Sequence, residues 1–159
     1  LLRRIVQCAL PITGKVAVVL GAHADAIAPS IADLPVERLT SHAWEEGMAA
    51  SVRSAAAWAS QDNAVSALLL MVCDQTRLST AHLRALASAY ATDPTSAIGS
   101  AYSDVVGVPA IFPRALFGDL LALRGDAGAR KILAAHSARS IAWSDGAFDL
   151  DTPDDARDA

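Results

Sequence analysis

Residues 66–73, Ser66-Ala-Leu-Leu-Leu-Met-Val-Cys73, form a nearly uninterrupted apolar run that gives way at once to Asp74-Gln75. A run of that length with polar neighbours on both sides reads as a strand buried on both faces, the type found inside a parallel sheet. In open α/β sheets ligands sit beyond the carboxyl ends of the strands. Asp74 therefore stands either as a group that holds a ligand or as a turn residue that keeps the strand end solvated.

The rest of the chain alternates in the same manner. Residues 1–10 carry apolar side chains at helical spacing and end at Pro11 and Gly14. No capping residue precedes that helix, so the start is expected to lie downstream of a further segment. Residues 16–20 read as a buried strand running into Gly21-Ala22-His23, and 24–31 as a short helix. A single glycine there does not make a phosphate-cradling loop of the dinucleotide-binding or Walker kind, which needs several at fixed spacing. His23 is either a ligand-facing group or a solvated residue at the helix start. Strands are expected at 36–40, 97–102, 108–112 and 139–143, with Asp104 and Gly107 in the loop between the second and third of these. Helices are expected at 47–59, 80–90, 114–123 and 128–135, the second capped by Ser79. Thr152 and Pro153 have the cap and first-residue chemistry of a short terminal helix. Strands that alternate with helices imply an α/β fold with a mostly parallel sheet and helices on both faces.

Composition narrows the class. With 159 residues, 53% of them apolar, one globular domain spanning 1–159 is expected. Aromatic residues make up only 5%, which favours helix-rich α/β over all-β. A net charge of -4 argues against a nucleic-acid or anionic-membrane surface. Cys8 and Cys73 lack metal or redox spacing and read as reduced and buried. With no bilayer-length apolar run and no leader-like start, the expected location is the cytoplasm. Met71, Trp44, Trp58 and Trp143 read as packing residues. Arg130 and Lys131 either reach a phosphate or sit as solvated charges, and His42, His82 and His136 show no metal-ligand spacing.

Asp74 is one hard oxygen ligand, and Asp149 and Asp151 supply two more near the far end. Carboxylates from two remote parts of the chain, each just past a strand, suit magnesium held mostly by a phosphate ligand; capping and solvation of strand ends is the other reading of the same aspartates.

Several segments, in order, resemble the molybdenum-cofactor cytidylyltransferases and the wider MobA-like nucleotidyltransferase family. They are Val18-Val-Leu-Gly-Ala-His-Ala-Asp25, Trp44-Glu-Glu-Gly-Met-Ala-Ala-Ser-Val-Arg53, Val72-Cys-Asp-Gln75, Gly107-Val-Pro-Ala-Ile-Phe112, Arg114-Ala-Leu-Phe117, Gly125-Asp-Ala-Gly-Ala-Arg130 and Asp149-Leu-Asp-Thr-Pro-Asp154. The resemblance implies a Rossmann-like three-layer fold that transfers CMP from CTP to molybdopterin cofactor with release of pyrophosphate. It implies Mg2+ as cofactor, and molybdoenzymes as client partners. By position, Asp74 matches the catalytic and metal-binding aspartate, with Asp151 as second metal contact and Asp149 as its alternative. Gly47, Met48 and Ser51 match the nucleotide pocket, and Gly107 with Pro109 the acceptor side.

The family begins with a strand and a glycine-rich phosphate loop of which this sequence has no counterpart. The resemblance therefore implies that the full protein carries that segment and that the 159-residue chain alone is inactive. Val108 stands where many relatives have histidine, Cys73 and Thr76 replace glycine and proline around Asp-Gln, and Ser41 stands in place of asparagine. These departures bear on substrate choice, and the loss of a polar side chain at Val108 touches the acceptor more than the nucleotide. Alternatives are transfer from GTP or to another acceptor, and a non-catalytic nucleotide- or molybdenum-cofactor-binding delivery module.

Overall fold

The computed structural model describes residues 1–147. Its elements run in the order α1 (Leu2–Ala9), β1 (Ala17–Leu20), α2 (Ala24–Ile27), β2 (Glu37–Thr40), α3 (Met48–Ser60), β3 (Ala67–Leu70), α4 (Thr80–Thr92), β4 (Ile98–Tyr102), β5 (Val105–Pro113), α5 (Phe117–Leu121), α6 (Arg130–Ala135) and β6 (Arg139–Ala142). Short 3-10 turns at Ala28–Ile31, Trp44–Glu46, Arg114–Leu116 and Ser144–Ala147 complete it. The helix expected at 24–31 is split because Pro29 has no N–H to offer the carbonyl of Asp25.

This is the expected Rossmann-like α/β class. β1 and β2 pair in parallel, as do β4 and β6, while β5 runs antiparallel between β3 and β4. The apolar run at 66–73 is the element that departs most from expectation. Only four of its residues are strand, its neighbour β5 is antiparallel, and only Leu68 among the four is fully buried. The ladder with β5 ends at the Leu70–Ala110 pair, so Met71, Val72 and Cys73 leave the sheet. Cys73 is exposed and Cys8 half-buried, both with free thiols. Trp44 is likewise exposed rather than packed.

Alternation along β5 assigns the helices to faces. Ala110 and Phe112 join a core with Val52 and Ala56 of α3, Leu120 of α5 and Leu133 of α6. Ile111, between them, points to a second core with Ile5 of α1, Leu83 and Leu86 of α4, and Trp143. A third, smaller cluster joins Val6 of α1 to Val18 and Leu20 of β1 and to Ile31. Helix α4 starts where Ser79 accepts the amide of His82 at 3.3 Å, the cap read from the sequence. β4 and β5 are joined by Ser103 and Asp104, both with positive φ (47° and 60°), the backbone of a primed hairpin turn. Gly107 consequently lies within β5, not in the connecting loop.

Candidate functional site

Beyond the end of β3 the chain turns through Asp74-Gln75-Thr76-Arg77, and α1 holds that turn. Arg4 donates to the carbonyls of Thr76 and of Leu78, the latter at 2.9 Å, and the Cys8 thiol also faces the Leu78 carbonyl at 3.6 Å. Asp74 is exposed at the rim, whereas Gln75 is buried directly behind it. The Gln75 amide Nε2 donates to the carbonyl of Val108 at 2.9 Å and to the Tyr102 hydroxyl at 3.3 Å, and Tyr102 donates to the same carbonyl at 3.1 Å. Oε1 of Gln75 is left without a donor among the described residues. The turn that carries Asp74 is thus clamped to β5 beside Gly107, where an added Cβ would meet the Tyr102 hydroxyl at 2.7 Å.

Beneath this clamp lies a second polar link. Ser100 donates to the carbonyl of Pro109 at 2.7 Å, which leaves its oxygen to accept from Nε2 of His82, also at 2.7 Å. His82 stacks on Trp143 at 4.8 Å between ring centroids, and burial lowers its pKa. The carbonyls of Val108 and Pro109 are therefore both held from behind by side chains.

The opposite wall is built at the start of α3. Gly47 has φ +116°, and a Cβ there would fall 2.3 Å from Oδ1 of Asp126, so only glycine fits. Glu46 pairs with Arg53 and accepts the amide of Gly125 at 3.2 Å, while Arg53 also donates to the Leu123 carbonyl at 2.8 Å. The Arg53 hydrogen bond, then the Gly125 amide, holds the Glu46 carboxyl at about 2. Met48 and Trp44 stand exposed on this shoulder at 49% and 45%.

A cavity of about 760 Å³ lies between the two walls, and Asp74, Met48, Ser51 and Gly107 all line it, together with Lys15 and Arg130. Lys15 is already paired with Asp62 at 3.0 Å and lies 5.2 Å above the Trp58 ring. Gly47 precedes the lining residues, and Pro109 sits under the rim, fully buried, where it supports rather than faces the cavity. Asp149 and Asp151 lie outside the described residues. His23, Asp25 and His42 line a separate hollow past the ends of β1 and β2. Among the described residues no three His, Cys, Asp or Glu side chains are grouped to hold a metal. A single exposed carboxylate at the rim of the cavity fits a hard cation that keeps most of its ligands from phosphate and water. Partial desolvation and, secondarily, the Asp74 charge push the Cys73 thiol up, so it is not an activated nucleophile. Among the described residues no helix is long and apolar enough to cross a membrane.

Sequence reasoning missed the Gln75–Tyr102–Val108 clamp, the Arg4 tether and the Glu46–Arg53 pair. Only the last left a trace in the sequence, an acid and a base seven residues apart on either side of the start of α3.

The model of the family described as "MobA-like NTP transferase domain" matches residues 1–140. Among solved structures, the chain is similar to Rv0371c from Mycobacterium tuberculosis H37Rv, with 27% identity and a TM-score of 0.76 over 97% of this chain and 82% of that one. It is also similar to Rv0371c in complex with manganese, with 25% identity and a TM-score of 0.74 over 97% of this chain and 84% of that one. A homologue from Mycobacterium sp. strain JC1 shares the fold at 23% identity, with a TM-score of 0.79 over 99% of this chain and 80% of that one. No curated protein matches.

Proposed function

Since the chain belongs to the family of MobA-like NTP transferase domains, we propose that it serves in transferring CMP from CTP to the molybdopterin cofactor. An acceptor phosphate oxygen attacks the α-phosphorus of the nucleotide, the bond to the β-phosphate oxygen breaks, and pyrophosphate leaves. Little covalent chemistry is asked of the protein; positioning and charge neutralisation supply the rate. The observation that supports this reading is that Asp74, Met48, Ser51 and Gly107, from remote parts of the chain, line one cavity.

In this reading Met48 and Ser51 face the nucleotide, with Gly47 fixing the shoulder that presents them. Gly107 and Pro109 shape the acceptor side, held in place by Gln75, Tyr102 and Ser100. Asp74 holds a divalent cation, Mg2+, with Asp151 as second contact and Asp149 as its alternative. When bound, that ion neutralises phosphate charge. The manganese bound by the solved relative supports a divalent cation here. Arg130, which lines the same cavity, supplies a cation for a phosphate. A phosphate-binding segment ahead of Leu1 is part of the proposal, and without it the 159-residue chain is expected to turn over poorly. The full protein would then act in the cytoplasm and pass its product to a molybdoenzyme.

A second reading, transfer to a different phosphorylated acceptor, is favoured by Val108, which offers that acceptor no polar side chain. Pyrophosphate release by the protein with its upstream segment, Mg2+, and CTP, GTP or ATP, with and without molybdopterin, separates the two. CTP with molybdopterin should be the productive pair, and Asp74→Ala should lower release by ~100-fold or more. Being exposed, that substitution should shift stability by no more than about 0.5 kcal/mol in urea denaturation. Absence of pyrophosphate release with every one of these nucleotides would overturn the proposal.

A further inference from the structure

The turn that carries Asp74 is suspended from two sides, and the two attachments differ in kind. On the sheet side Gln75 reaches the Val108 carbonyl, and Gln75 and Leu78 are both buried, so this attachment belongs to the packed interior. On the helix side the hold is one exposed residue, Arg4. It donates from Nη1 to the Thr76 carbonyl and from Nη2 to the Leu78 carbonyl, the second at 2.9 Å. A single planar guanidinium thus spans two carbonyls of one turn, a geometry set by its rigid fork of donors, whereas an ammonium is a point charge on a flexible stem. The turn also closes on itself, with the Leu78 amide donating to the Gln75 carbonyl at 3.1 Å. The spacing along α1 suits this task. Residues 4 and 8 lie one helical turn apart on the same side, and Cys8 meets the same segment, its carbonyl accepting from the Thr80 hydroxyl at 3.2 Å. The adjacent cation is engaged elsewhere. Arg3 pairs with Asp33 at 2.6 and 2.7 Å and donates to the Ser30 carbonyl at 3.2 Å.

We propose that Arg4 is a positioning residue for the cation site: by gripping the Thr76 and Leu78 carbonyls it holds the Asp74 carboxylate in place at the cavity wall. This rests on the reading of Asp74 as the carboxylate that holds the divalent cation. Asp74 has little else to rely on. Among the described residues no three metal-binding side chains are grouped together, so a displaced Asp74 is not made good by neighbours. Groups that orient a metal ligand from behind set the affinity nearly as firmly as the ligand itself. The sign of the effect separates this role from simple electrostatics. Arg4 is a cation acting two residues from Asp74, so loss of its charge alone should tighten the binding of a second cation there. Loss of its grip should weaken it.

The test compares Arg4→Met, Arg4→Lys, Arg3→Met and Asp74→Ala with wild type, each in the full protein. Two quantities are read: the dissociation constant of Mn2+ followed by paramagnetic resonance, and the Mg2+ concentration that gives half-maximal pyrophosphate release. Arg4→Met should weaken both by ~10-fold, while the KM for the nucleotide stays within ~2-fold and saturating Mg2+ restores release. Arg4→Lys keeps the charge and loses the fork, so it should weaken both as well. Arg3→Met removes the same charge from the same helix and should leave both where they are. Exchange of the Leu78 amide should quicken in Arg4→Met and not in Arg3→Met. Unchanged or tighter Mn2+ binding in Arg4→Met would overturn the proposal, and so would an equal weakening in Arg3→Met, which would trace the effect to the helix as a whole. Asp74→Ala separates this from the reading beneath it. If Asp74→Ala loses Mn2+ while Arg4→Met keeps it, only the role of Arg4 falls; if Asp74→Ala matches wild type, the cation reading falls and takes that role with it.

Discussion

β5 and β3 are adjacent strands of one sheet with similar apolar sequences, yet they live in different surroundings. Every residue from Pro109 to Pro113 is buried, with β3 and β4 on either side and helices above and below. β3 has β5 on one edge and, on the other, the slot-like part of the cavity that residues 16–19 and 67–74 line, and three of its four residues remain only half-buried. β1, across the slot, repeats the pattern, with Ala17 and Val19 half-buried between Val18 and Leu20. Hydrophobicity is alike in the three strands; what differs is whether each edge has a neighbour. Burial in a sheet is therefore a property of the pairing as much as of the side chains.

The sharpest way to break that comparison is truncation on each side of it. Phe112→Ala, from the fully buried core, should cost about 3–5 kcal/mol in urea denaturation. Leu69→Ala, beside the slot, should cost about 1–2 kcal/mol because part of its side chain already meets solvent. Equal losses would mean that the slot is closed in solution. At the slot's mouth, Gly47→Ala should cost about 1–3 kcal/mol, since it combines a positive φ with a clash on Asp126. Cocrystals or spectra of that variant should show the 44–48 shoulder displaced from residues 124–126. On the closed side, Ser79→Ala removes the cap of α4 and should cost about 1 kcal/mol in thermal or urea melts.

The smallest effect belongs to His82. Burial lowers its pKa in the folded state, so the unfolded chain binds the extra proton first. Its contribution is fully present above the unfolded value of 6.5 and is lost as pH falls toward the lowered folded value. The urea midpoint should drop between pH 7 and pH 5, and His82→Gln should flatten that drop by comparison with wild type.

Much of the fold could be read from the sequence because its signals are local. Helical spacing locates α1, a serine hydroxyl locates the start of α4, and a short apolar run locates β1. The family and the α/β class are legible from ordered segments, and Asp74, Met48, Ser51 and Gly107 line one cavity, where their roles are a proposal. The run at 66–73 was misjudged, because an apolar stretch records how much burial it can accept but not which neighbour supplies it. The Gln75–Tyr102 clamp was invisible for a related reason. Its partners lie 27 residues apart, and a hairpin turn at Ser103 and Asp104 must form before they meet. An unpaired edge, finally, has no signature in composition or period at all.

The Arg4 tether gives α1 two duties at once. One side of the helix, through Ile5 and Val6, lines the cavity, while a guanidinium one residue earlier grips the carbonyls just past Asp74. A displacement of α1 would therefore act on the acidic turn directly through Arg4, without passing through the sheet.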